Sequence, residues 1–203
     1  MEDLAVLISS LTKIENGFKH IVAAGDGLLK SQALDHLAIA RQLIIHPTYQ
    51  GRMLGTHLLG ALSAQNDTAL DILKNEVAKD ENWRVQEMLA KAFDQYVKTV
   101  GYEKSLPVMK NWLTDSNHKV VRAVIEGLRI WTSKPYFKEN PLVAIQLIAA
   151  HKTDESEYVR RSVGNALRDI CRKHADLVSN ETNAWDLTDL KIAFTYKLIV
   201  KNG

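Results

Sequence analysis

One segment of this chain is written three times. Asp80–Phe93, DENWRVQEMLAKAF, returns as DSNHKVVRAVIEGL over Asp115–Leu128 and as DESEYVRRSVGNAL over Asp154–Leu167. With Asn82, Asn117 and Ser156 in one column, Val85, Val120 and Val159 stand three residues on. Leu89, Val124 and Val163 stand seven on, and Phe93, Leu128 and Leu167 eleven on. Apolar residues at steps of three and four form one face of a helix. Asn or Ser at the head suits a helix N-cap, where a side-chain oxygen accepts from N–H groups that lack a partner within the helix. Ala92, Gly127 and Ala166, each just before the last apolar residue, leave room for a neighbouring helix. The heads are 35 and then 39 residues apart, which is space for one further helix between successive copies.

A repeat of this length built from one helix pair marks an α-solenoid of the HEAT type. The expected fold is therefore all-α: a right-handed α-solenoid of antiparallel helix pairs, HEAT-like repeats in an ARM-like superhelix. Residues 1–203 form a single HEAT-like-repeat domain on this reading. About ten or eleven helices are expected, and no β-alternation occurs. Glu2 to about Ile14 and Phe18 to about Ala24 read as short helices, with Gly25-Asp26-Gly27 breaking the chain. Ser31 is the expected cap of a helix ending at His46-Pro47. Pro47 lies 35 residues before Asn82, so PTYQGRMLGTHLLG reads as a degenerate earlier copy with Leu54 and Leu58 inside. Gly101 stops the helix of the first copy. Ser156–His174 is the longest amphipathic stretch, and a last helix starts near Thr188, capped by Thr188 or Asp186.

Composition narrows the function classes. Hydrophobic residues make up 46% and charged residues 25% of the chain, as in ordinary globular proteins. No run is long enough to span a membrane, and the acidic start MEDLAVLISS reads as a helix rather than a signal peptide. A cytoplasmic location is the expected default. The one cysteine, Cys171, excludes an internal disulfide and a cysteine-rich metal site; it falls among core positions. No HExxH pair and no phosphate-binding glycine loop occurs, so neither metal nor cofactor is expected. His46 and His57 read as structural, and Trp112 and Trp131 as packing. Net charge is only +2, but residues 117–174 hold eleven basic and six acidic side chains. A basic half of a solenoid suits a phosphate backbone; the same residues also read as a solvated face with i,i+4 pairs such as Arg122/Glu126.

The columns that vary are the better guide to function. The first position after the cap reads Trp83, His118, Glu157; the fifth reads Glu87, Arg122, Arg161; the ninth reads Lys91, Glu126, Asn165. Steps of four share one helix face, and in solenoids the second helices line the concave binding surface. Trp83 and Glu87 are thus expected one turn apart, with Arg122 meeting Glu87 from the next repeat. The spacing also fits a tryptophan packed beside a buried ion pair.

The three segments, above all NWRVQE, SNHKVVRAVIEGLRIW and SEYVRRSVGNALRDICRKHADLV, resemble the HEAT-like-repeat DNA alkylation repair family, the AlkC/AlkD-type DNA glycosylases. The resemblance runs from about Leu34 to His174. In that family an inner-face tryptophan is followed four residues later by an acid, which matches Trp83 and Glu87, and an arginine heads the next inner helix, which matches Arg122. Glu87 stands where AlkD-type members carry aspartate, and Asn165 where they carry a second tryptophan. The resemblance implies hydrolysis of the N-glycosidic bond of cationic N3- or N7-alkylated purines. Glu87 would stabilise the positive sugar of the transition state, Trp83 would meet the cationic lesion by cation–π attraction, and Arg122 would hold a flanking phosphate. Lys119, Arg129, Arg160, Arg161 and Asn165 are the implied DNA-binding residues. The implied partner is double-stranded DNA, alkylated or branched, bound by a monomer. The alternative is a non-catalytic DNA-binding protein that recognises distorted or branched DNA.

Overall fold

A computed structural model describes residues 2–201, with side chains from Leu4 onward. Among these residues there are twelve α-helices and no strand: α1 (Glu2–Thr12), α2 (Lys19–Leu29), α3 (His36–Ile44), α4 (Tyr49–Leu62), α5 (Asp67–Asn75), α6 (Trp83–Val100), α7 (Leu106–Leu113), α8 (His118–Trp131), α9 (Pro141–Ala149), α10 (Glu157–Cys171), α11 (Ala175–Asn183) and α12 (Leu190–Val200). A single 3₁₀ turn, Val77–Lys79, leads from α5 toward α6. The chain divides into two compact units between Val100 and Gly101. In the first, α4 packs between α2 and α6, with α1, α3 and α5 also against it. In the second, α10 packs between α8 and α12, with α9 and α11 beside it. Each unit is therefore three helix pairs whose second members lie side by side, the all-α helical-repeat architecture that the sequence period predicts.

The repeat has a local device that the aligned columns contain in full. Two residues before each cap stands an aspartate. Its Oδ1 accepts from the N–H of Asn82, Asn117 or Ser156, at 2.8 Å in all three copies. This turn aims the chain into the second helix. Asn82 and Asn117 then accept from the N–H groups of Arg84 (3.0 Å) and Lys119 (2.9 Å). Ser156 occupies the same cap position without a side-chain cap bond. Val85, Val120, Val159, Leu89, Val124 and Val163 are all buried, as the spacing predicts. So are Trp112 and Trp131.

The small column divides. Ala92 meets Gly60 of α4 so closely that a Cβ on Gly60 would lie 2.7 Å from the Ala92 backbone, so it does admit a neighbouring helix. Gly127 serves its own helix instead: a Cβ there would stand 2.4 Å from the Trp131 ring, one turn on.

Several boundaries differ from the sequence expectation. Gly25-Asp26-Gly27 does not break the chain; α2 runs through it to Leu29. Gly25 is there because His57 of α4 lies against it, and a Cβ would come within 2.2 Å of that ring. Asp26 Oδ1 then meets His57 Nε2 at 2.9 Å. The cap of α3 is Asp35, not Ser31, since its carboxylate accepts from Ala38 N–H. Thr48, not Pro47, caps α4, with Oγ1 accepting from Gly51 N–H. Asp189 caps α12, accepting from Lys191 and Ile192, while Asp186 binds Thr188. The stretch after Cys171 holds a separate helix, α11, which the pattern does not show because it buries only Val178 and Thr182.

Candidate functional site

The caps fix which side chains open each second helix. With Thr48 as a further cap, the first position after the cap reads Tyr49, Trp83, His118 and Glu157. In the first unit Trp83 is the exposed member, with 54% of its surface open. Trp112, Trp131 and Trp185 are all 8% exposed or less, so burial alone separates Trp83 from the packing tryptophans. Glu87 follows one turn along α6 and is half-buried, on the same face as the indole.

The structure adds two residues here that sequence columns passed over. The Arg84 guanidinium lies over the Trp83 ring at 4.5 Å from its centroid and over the Tyr49 ring at 4.9 Å. Arg84 Nη2 donates to Asn16 Oδ1 at 2.6 Å. Tyr49 donates its hydroxyl to the Glu15 carbonyl. The loop between α1 and α2 is thus tied to the heads of α4 and α6, and the guanidinium lies against two aromatic rings. The signal was present in the sequence as two aromatics at equivalent cap positions, but it becomes visible only once Thr48 replaces Pro47 as the cap.

The remaining candidates lie in the second unit, on α8 and α10. Arg122 stacks on Tyr158 of α10, 4.9 Å from its centroid, and stands 3.7 Å from Glu126 of its own helix. The i,i+4 pair that the sequence allowed therefore forms. Glu126 also pairs with Arg129 at 3.2 Å, and Arg129 reaches Asp169 of α10 at 3.3 Å, which links the two helices by charge. Arg160 Nη1 donates to the Asp154 and Glu155 carbonyls, closing the turn before α10. Arg161 is exposed, pairs with Glu157 at 2.7 Å and lies 5.4 Å from the Phe194 ring, as does Arg160. Asn165 is half-buried. Lys119, expected to reach a phosphate, is only 8% exposed. Its place in the column is right, but it falls on the flank of α8 that packs. Trp83 and Glu87 stand on α6 of the first unit and Arg122 on α8 of the second.

His57 and His46 are structural. His57 binds Asp26, and His46 Nδ1 binds Thr48 through its hydroxyl and its N–H. Among the described residues no group of three or more His, Cys, Asp or Glu side chains is arranged to hold a metal ion. No described helix is long and apolar enough to cross a membrane.

Residues 22–196 match the model of the DNA alkylation repair enzyme family. The chain belongs to that family. Its fold is that of AlkD2 from Streptococcus mutans, which is 46% identical, with a TM-score of 0.92 over 98% of this chain and 97% of that one. A DNA-bound alkylpurine DNA glycosylase, AlkC from Pseudomonas fluorescens, shares the fold at 20% identity and a TM-score of 0.52, over 90% of this chain and 60% of that one. The uncharacterized protein YhaZ of Bacillus subtilis is 32% identical over 109 residues, half of this chain. That match spans 30% of the length of YhaZ.

Proposed function

We propose that the protein is a DNA repair protein that binds DNA through the second helices of its repeats without excising a base, recognising distorted or branched duplexes. One observation carries this reading. The Trp83 indole, which in a glycosylase of this family would meet a cationic alkylpurine, already has the Arg84 guanidinium against one face. A positive charge fixed there opposes the arrival of a second one. Two other features support it. Arg122 is stacked on Tyr158 and paired with Glu126, and a neutral amide, Asn165, replaces an aromatic plate. The exposed Arg161 and the Arg129 side chain, which is about one-third open, supply phosphate contacts. Gel shifts with a plain duplex, a bulged duplex and a four-way junction test the reading. Binding that favours the bulged or branched forms, with no base released from an N7-methylguanine duplex, is the expected result.

A second reading, an alkylpurine-DNA glycosylase, is favoured by the exposure of Trp83 one turn before Glu87. In that chemistry the alkylated purine is cationic and leaves as a neutral base, while a carboxylate stabilises the oxocarbenium-like sugar. Base release above background that disappears in Glu87→Gln would establish it in place of the first.

A further inference from the structure

The cation already resident on Trp83 has a consequence for what that residue can recognise. Arg84 is held there by more than the indole. The Tyr49 ring also lies against it, at 4.9 Å, and Asn16 accepts from Nη2. A guanidinium in contact with two rings cannot swing aside without losing both contacts and the Asn16 bond. Trp83 nevertheless keeps 54% of its surface open. A large ring that has a guanidinium against it and still keeps about half its surface open offers a stacking surface.

The resident charge then sets the chemistry of the guest. A ring stacked on the open face would lie about 3.5 Å beyond the indole. With the guanidinium carbon 4.5 Å away on the near side, the guest and the resident charge would be roughly 8 Å apart. Two cations on opposite faces compete for the same π density and repel each other directly. An uncharged ring suffers neither effect and gains a stacking surface. We propose that Arg84 is a specificity-determining residue that makes Trp83 a platform for an uncharged, unpaired nucleobase and turns away a cationic one. This rests on the DNA-binding reading above and names the ligand at its aromatic site.

The test uses the full chain and one DNA duplex carrying a single-nucleotide bulge, either guanine or N7-methylguanine. These differ by a methyl group and a positive charge. Wild-type protein is expected to bind the guanine bulge about two- to fivefold more tightly, the scale of one exposed cation–π contact. In Arg84→Met, which keeps much of the packing but removes the charge, that ratio should fall to one or reverse. Arg84→Lys should preserve it, and Trp83→Ala should abolish it while binding to the plain duplex persists. A merely structural Arg84 would weaken both probes equally and leave the ratio unchanged, which would overturn the proposal. So would equal or tighter wild-type binding of the cationic bulge. If plain and bulged duplexes both bind but the ratio ignores Arg84, only this inference falls. If no duplex binds at all, the DNA-binding reading falls with it.

Discussion

Trp83 and Trp131 show how little residue type says without burial. Trp131 is fully buried, edge-on to Tyr102 and stacked with Phe137. Trp131→Ala is expected to cost about 3–5 kcal/mol of stability. Trp83→Ala, at an exposed position, should shift the denaturation midpoint far less while affecting DNA binding. Chemical denaturation of both variants checks the contrast. Gly25 is a similar case of context. Gly25→Ala forces a methyl into the His57 ring and should destabilise by about 1–3 kcal/mol. Part of that loss should be recovered in a His57→Ala background, as a double-mutant cycle would show. His151 gives the residue scale a pH dependence. Burial holds its imidazole below the ordinary value of 6.5, with the Asp154 carboxylate pulling the other way. The unfolded chain therefore takes up this proton first as pH falls. The contribution of His151 to stability is complete above pH 6.5 and is lost progressively as pH drops through the interval down to the lower folded value. His151→Gln should flatten that part of the stability–pH curve.

Among the elements, the entry turn of each second helix is the recurring unit. Its aspartate makes the same 2.8 Å bond three times, whereas the residue at the cap varies in what it does. Asn117 accepts from Lys119 N–H, so Asn117→Ala should cost about 1 kcal/mol. Ser156 makes no side-chain cap bond, so Ser156→Ala should be nearly neutral. Asp154→Ala, in the same copy, should cost more than Ser156→Ala because it removes the turn itself. Thermal unfolding of the three variants decides the order. The opposite end of a helix is set by Gly101, whose φ of +101° suits glycine and few other residues.

At the scale of the whole molecule, charge is distributed unevenly between the two units. Residues 1–100 carry ten basic and twelve acidic side chains, and residues 101–203 carry sixteen and twelve. The second unit is therefore the one whose field favours a polyanion. DNA binding should weaken steeply with salt, since each neutralised phosphate releases counterions. Arg161→Ala is expected to lower the slope of log K against log salt by about one. Lys119→Ala should leave that slope unchanged, because the Lys119 side chain is buried. Equal effects of the two variants in a salt titration would contradict the placement of both residues.

The sequence by itself determined the second helices of the three written copies, the repeat that pairs them with a preceding helix, and the columns that recur. These depend on residues a turn apart, and a period of three and four or an Asp-x-Asn turn is written within a few positions. It also marked Trp83, Glu87 and Arg122 as the residues that vary on a constant scaffold. Only the tertiary structure decided what those residues touch. Arg84 meets Asn16 across 68 residues of sequence, and Asp26 meets His57 across 31. Such partners are chosen by how helices stack, and a pattern of neighbours along the chain cannot register them. That is why Gly25-Asp26-Gly27 reads as a break yet serves as a packing site, and why Lys119 reads as a surface cation yet lies buried.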